Sequence, residues 1–336
     1  MDNILVVNVN WLGDAIFSTP VFKALKKTYP KARISCLAVP RVKEVLLHCP
    51  YIDEIIVYDE KGEHWYPWAK LKLVFLLRQK KFDAAFLLHR SLTRAFLVYL
   101  AGIPLRVGYK TSKPSFFLTR AIEIDENLHR MDHYAKILKD EAIAVEDAYE
   151  LAIPEEDVKK MQTTLSAQGI EPDDYLVVVN AGGNWDLKRW PYERFAQLIA
   201  RLVRNFHVKV VIPGADKDLG LAHSIARLSG VDPVVLAGST GLKELLALFK
   251  RADCVISNDT GPLHLAASVG TDVIALFGPT RPQITGPKGR GRAVVLYKEI
   301  GCNKAPCYHL SCSHNECMHA ITVDHVCEAL QTIKNK

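Results

Sequence analysis

The residues with the clearest chemical potential are Asp259-Thr260-Gly261-Pro262-Leu263-His264, where an apolar run over Cys254–Ser257 ends and a small-residue helical pattern begins. A helix that starts directly after a strand presents free N–H groups and the positive end of its dipole. With Gly261 allowing close approach to the backbone, such a terminus suits a phosphate or diphosphate. Asp259 and His264 add side chains able to bind hydroxyls or a charged oxygen, and Pro262 has the φ favoured in a first helical turn. An equally simple reading makes Asp259 or Thr260 a helix cap and His264 a packed side chain.

Three further loops have the same strand-to-helix placement. In Asn180-Ala181-Gly182-Gly183-Asn184-Trp185-Asp186-Leu187-Lys188-Arg189-Trp190-Pro191 the glycines permit close approach, and Lys188 or Arg189 can neutralise a phosphate. Gly183 and Asn184 are therefore candidate donor contacts. Gly214-Ala215-Asp216-Lys217-Asp218 repeats the pattern, with Asp218 able to accept hydrogen bonds from ribose hydroxyls or simply to occupy a helix's first turn. Asp14, after Trp11-Leu12-Gly13, stands at the carboxyl end of the first strand, where it is either a base or a cap.

Cys302, Cys307, Cys312 and Cys317 lie five residues apart with His309 and His314 among them. The CxxC spacing typical of zinc sites is missing, so free thiols in a surface loop are expected, and neither a metal nor any other cofactor is assigned.

The elements that position these residues follow from periodicity. Ile4–Asn10, Ile34–Val39, Glu54–Tyr58 and Ala84–Leu88 read as buried parallel strands, alternating with helices at 15–28, 41–48, 67–80 and 91–102. A linker is expected at 144–157, after which strands at 176–179, 208–212, 234–236, 254–257 and 273–277 repeat the alternation. The fold class is α/β, with two Rossmann-like doubly wound domains facing a cleft. The expected bounds are 1–150 and 151–320, followed by a final helix within 321–336 that crosses back to the first domain. There is no GxGxxG and no GxxxxGK[ST], which argues against a dinucleotide dehydrogenase or a P-loop enzyme.

The net charge of +6 is unevenly placed. Residues 61–120 hold 12 Lys and Arg against Glu63 and Asp83, a local +10, so the rest of the chain sums to −4. Aromatic residues are interleaved with these cations, which suits an anionic membrane surface; a solvated basic face over an ordinary core is the alternative. No nucleic-acid motif accompanies the charge. No apolar stretch is long enough to span a bilayer and no basic signal-peptide start is present, so a cytoplasmic protein peripheral to the inner face of the cytoplasmic membrane is expected.

Taken together, Asn10-Trp11-Leu12-Gly13-Asp14, Lys188-Arg189-Trp190-Pro191, and Asp259-Thr260-Gly261-Pro262-Leu263-His264 through Phe277-Gly278-Pro279-Thr280 resemble the ADP-heptose:lipopolysaccharide heptosyltransferases of glycosyltransferase family 9. Trp11 before Leu-Gly-Asp, Ala101-Gly102-Ile103-Pro104 and Gly214–Asp218 are closer to the type II enzymes, which add the second inner-core heptose. The resemblance implies a GT-B fold and inverting, metal-independent transfer from ADP-heptose to a phosphorylated lipid A core acceptor. By similarity, 1–150 would bind the acceptor and 151–320 the nucleotide sugar. Asp14 would be the general base, Lys188 would stabilise the departing diphosphate, and the Thr260 and Gly261 amides would hold the phosphates. Asp259 and His264 would contact the donor sugar and phosphate, Asp218 the ribose, and Lys113 falls where a type I enzyme has an acceptor-binding Arg. The Asn180-Ala181-Gly182-Gly183 segment departs from the family's usual Pro-Gly.

Two other classes compete: a relative that moves another nucleotide-linked sugar or epimerises one, and a binding protein for a nucleotide sugar or lipid without turnover. An epimerase needs no basic acceptor face, and a silent binder needs no Asp14 beside Lys188.

Overall fold

The computed structural model describes residues 1–111, 115–302, 307, 312 and 314–335, the side chain of residue 140 excepted. The chain divides into two compact units, Met1–Ala152 and Ile153–Lys336.

The first unit is a six-stranded parallel sheet of β1 (Asn3–Val7), β2 (Arg33–Ala38), β3 (Glu54–Val57), β4 (Ala84–Leu87), β5 (Leu105–Tyr109) and β6 (Arg120–Ile122), in the order β3-β2-β1-β4-β5-β6. The second repeats that order with β7 (Leu176–Asn180), β8 (Lys209–Ile212), β9 (Val234–Val235), β10 (Cys254–Asn258), β11 (Asp272–Phe277) and β12 (Ala293–Tyr297), arranged β9-β8-β7-β10-β11-β12. Strand order therefore reverses between β1 and β4 and again between β7 and β10, the position at which doubly wound sheets bind ligands beyond the carboxyl ends of their strands. Near-continuous Val, Ile and Leu in β1 and β7, and the fully buried Cys-Val-Ile-Ser-Asn of β10, follow from burial on both faces by helices.

β5, β6 and β12 were not evident from pattern. β5 carries Arg106 and Gly108, β6 is three residues long with Arg120 exposed, and β12 is only partly covered, so none shows a buried-strand signature. The single helix expected from 15 to 28 is two, Leu12–Phe17 and Thr19–Thr28. Pro20 lacks an N–H, and at the junction the Ser18 and Thr19 hydroxyls donate to the Ala15 and Ile16 carbonyls at 2.6 and 2.8 Å. The expected linker already contains the start of a helix, Glu155–Ser166, with three acids in its first turn.

The final helix, Val323–Lys334, is where its periodicity placed it, and its apolar stripe packs within the second unit. Val326, Cys327, Ala329, Leu330 and Ile333 belong to the core of the second unit, with Phe195, Leu198 and Leu202 of the helix Tyr192–Phe206 in the same cluster. Among the described residues, no helix is long and apolar enough to cross a membrane.

Candidate active site

Two carboxylates sit at the two switch points. In the first unit Asp14 lies in the first turn of Leu12–Phe17, directly after β1. It is not a cap: Trp11 occupies the N-cap position and no side chain caps that end. The Asp14 carboxylate is half-buried, and its Oδ1 accepts a 2.8 Å hydrogen bond from the hydroxyl of Tyr134, on the helix Arg130–Ala135. Burial and the Asp14 charge push the Tyr134 phenol well above its ordinary range, so it stays a donor at any physiological pH.

The loop preceding Asp14 is pinned from below by Arg94, which is 1% exposed. Its guanidinium donates at 2.7 Å to the Asn8 carbonyl and at 2.7 Å to Asn10 Oδ1, lies 3.4 Å from Glu60, and stacks over the Tyr58 ring. A planar fork of donors suits such a multi-point hold.

In the second unit four loops converge at the carboxyl ends of β7, β8, β10 and β11. Asp259, 4% exposed, follows β10; its Oδ2 accepts from Lys188 Nζ and from the Thr280 hydroxyl, each at 2.6 Å. His264 Nε2 lies 3.8 Å from the other oxygen. Burial pulls the Asp259 carboxyl upward, but the neighbouring His264 ring and the Lys188 charge outweigh it and hold the group at about 2. Asp259 is thus an anion at every working pH and fixes the Lys188 ammonium. An ammonium has three donors, so one carboxylate partner leaves capacity for phosphate oxygens.

The helix Gly261–Ser268 begins beside this pair with Thr260 extended at the N-cap and no side-chain cap hydrogen bond, so neither Asp259 nor Thr260 caps it. Gly183 lies so close to that terminus that a Cβ there would be 3.2 Å from the Thr260 methyl. A Cβ on Gly182 would be 2.9 Å from Asp218 Oδ2, and one on Gly214 would be 3.1 Å from Asp218 Cβ. Asp218 closes the turn before Leu219–Ser229, accepting from the Ala215 N–H at 3.3 Å. Lys217 donates to the Asn184 side chain, and Arg189 donates to the Gly183 carbonyl. Buried Asn258 ties the loops together, its Nδ2 donating to the Ala181 carbonyl and its Oδ1 accepting from the Trp190 N–H, both at 3.0 Å.

Gly183, Asn184, Lys188, Asp218, Asp259, Thr260, Gly261 and His264 are thus gathered on one edge of the second sheet, and Asp14 stands on the corresponding edge of the first. Lys113 and His309 lie outside the described residues. No group of three or more His, Cys, Asp or Glu side chains that could hold a metal occurs among the described residues, although Cys317 and Met318 pack so tightly on Gly278 that a Cβ there would be 2.4 Å from the Met318 sulfur.

Pattern reading did not find Thr280, Arg94 or Tyr134. Thr280 at least ends the segment Phe277-Gly278-Pro279-Thr280, whereas Tyr134 has no local signal.

A family model described as glycosyltransferase family 9 (heptosyltransferase) matches residues 70–317. The chain belongs to this glycosyltransferase family. Among its relatives is the lipopolysaccharide heptosyltransferase 2 of Salmonella typhimurium, 26% identical with 98% of each chain covered. A glycosyltransferase family 9 structure from Veillonella parvula superposes with a TM-score of 0.85 at 26% identity, covering 99% of this chain and 97% of that one. The ADP-heptose lipopolysaccharide heptosyltransferase II structure from Escherichia coli gives 0.81 at 24% identity, over 99% and 98%. These likenesses bear out the resemblance to the type II enzymes and the GT-B class, and with them a glycosyltransferase.

Proposed function

We propose that this glycosyltransferase transfers a heptose from ADP-L-glycero-D-manno-heptose to the inner core of lipopolysaccharide, adding the second heptose, with inversion and without a metal. The observation that carries this reading is the buried Asp259 holding Lys188 beside the uncapped start of Gly261–Ser268. A lysine and a helix N-terminus together supply the positive charge that a departing diphosphate needs.

In the proposed reaction, Asp14 takes the proton of the acceptor hydroxyl as its oxygen bonds to the anomeric carbon from the face opposite the nucleotide. The bond from that carbon to the phosphate oxygen breaks, and ADP leaves with the electron pair. The Tyr134 hydroxyl orients the Asp14 carboxylate, and the loop that leads into the Asp14 helix is held by Arg94 at Asn8 and Asn10. Gly183 and Gly261 give the diphosphate access to backbone N–H groups, Asn184 contacts the donor, and Asp218 accepts from the ribose hydroxyls. Asp259 and His264 act from beneath, setting the position of Lys188. Lys113 is proposed to contact the acceptor phosphate. The acceptor is carried at the inner face of the cytoplasmic membrane, which the basic charge of residues 61–120 suits.

Incubation with ADP-heptose and a panel of truncated core lipids, read by ADP release and product mass, tests the proposal. One added heptose on the acceptor that already carries a single heptose is expected. Release of ADP with no acceptor product, or transfer only from another nucleotide sugar, would overturn it.

A further inference from the structure

The helix Pro67–Gln79 has apolar residues on both sides. Leu73, Val74 and Leu77 are buried against the first unit. On the opposite side Trp68, Leu71 and Phe75, spaced three and four residues apart, are 59%, 51% and 60% exposed, and Trp65 precedes them at 64%. A helix with an outer apolar stripe is costly to leave in water, and contiguous exposed apolar patches mark interaction surfaces.

The surrounding charge selects the occupant. Residues 61–81 contain Lys61, Lys70, Lys72, Arg78, Lys80 and Lys81 against the single acid Glu63. Lys80 is engaged by Glu54, but Lys72 is exposed within the apolar stripe itself. A self-associating interface would bring these cations against their own copies and bury Lys72 in its centre, whereas interface cores are depleted of charge. A bilayer with anionic headgroups meets both demands: aromatic rings occupy the headgroup boundary and lysine stems reach upward to the phosphates. Tyr66 and Trp68, stacked with centroids 4.5 Å apart, present amphipathic rings of the kind enriched at that depth.

We infer that Pro67–Gln79 is a membrane-docking helix that lies in the plane of an anionic bilayer with Trp68, Leu71 and Phe75 inserted at the acyl boundary. The inference deepens the reading of the acceptor as a membrane glycolipid and rests on it. It assigns the contact to one element and makes it partly apolar rather than a diffuse electrostatic attraction.

The test uses the full chain and a W68Q/L71Q/F75Q variant, all at exposed positions, with vesicles of phosphatidylglycerol and phosphatidylethanolamine and with vesicles of phosphatidylcholine alone. The wild-type chain is expected to co-sediment with the anionic vesicles and to shift its tryptophan emission to the blue. The variant is expected to lose about tenfold or more of that partitioning while keeping its melting temperature. Turnover on a soluble, delipidated acceptor oligosaccharide should be equal in the two proteins, and turnover on vesicle-borne acceptor should fall in the variant. Absence of wild-type vesicle binding, equal partitioning of the variant, or conversion of a dimer to a monomer with vesicle binding intact would each overturn the inference. Vesicle binding is read without substrate, so a chain that binds vesicles but turns over neither acceptor refutes the proposed reaction and leaves the docking helix standing.

Discussion

The Tyr134 hydroxyl donates a 2.8 Å hydrogen bond to Asp14 Oδ1, joining two residues 120 positions apart at the switch point of the first sheet. It fixes one oxygen of the carboxylate, and in the proposed reaction the other takes the acceptor's proton.

Removing that hydroxyl should therefore be read in turnover more than in binding. A hydrogen bond to a charged group is worth about 1.5–3 kcal/mol, so Tyr134→Phe is expected to lower kcat roughly ten- to hundredfold with the KM for the nucleotide sugar unchanged. Asp14→Asn should cost about a hundredfold or more while nucleotide affinity is kept. Steady-state kinetics with titration calorimetry of ADP checks both, and near-normal turnover of Asp14→Asn would remove it as the base.

Lys188 and Asp259 form a pair in which the carboxylate is the buried partner. Lys188→Met leaves Asp259 to Thr280 and His264 alone, so roughly 1–3 kcal/mol of stability should be lost along with about 10²–10³ in kcat. The double variant Lys188→Met/Asp259→Asn is expected to recover much of the melting temperature and none of the turnover, because the cation proposed to meet the diphosphate stays absent.

Gly182 leaves no room beside Asp218, since a Cβ would sit 2.9 Å from its carboxylate oxygen. Gly182→Ala should displace Asp218 and raise the KM for ADP-heptose several-fold, about 1 kcal/mol of binding, with a small change in melting temperature. An unaltered KM would detach Asp218 from the donor site.

Stability should fall with acid in two stages. Burial, helped by the Arg94 charge, holds His89 at about 4, and burial with the Arg90 and Arg130 charges does the same for His133. Both values lie below the ordinary 6.5, so the unfolded chain binds more protons. The stabilisation is full above about pH 6.5 and is lost as pH falls toward 4. Asp259, held at about 2 against an ordinary value near 3.8, contributes stability that is lost between about pH 4 and 2. Calorimetric melting against pH should show the first loss, and His89→Gln/His133→Gln should flatten it; Asp259→Asn should flatten the second.

Much of the scaffold was legible in the chain because its signals are local. The apolar runs at β1, β7 and β10 and the helical period of Val323–Lys334 depend on neighbours a few residues away, as does the Thr260-Gly261-Pro262 helix start. The edge strands β6 and β12 were not legible, because an edge or half-covered strand has no need of continuous apolar residues, and β5 was not, because Arg106 and Gly108 interrupt its apolar run.

What the sequence determined by itself was the kind of residue at each strand end: a carboxylate at 14, a cation at 188, glycines at 182, 183 and 261, a carboxylate at 259. Only tertiary structure decided which of them meet. Lys188 reaches Asp259 across 71 residues and Tyr134 reaches Asp14 across 120, distances over which no periodicity in the chain records a partner. The parallel sheets bring distant strand ends to one edge, and it is that crossing order, set by the packing of helices over both faces, that turns separate loops into a site.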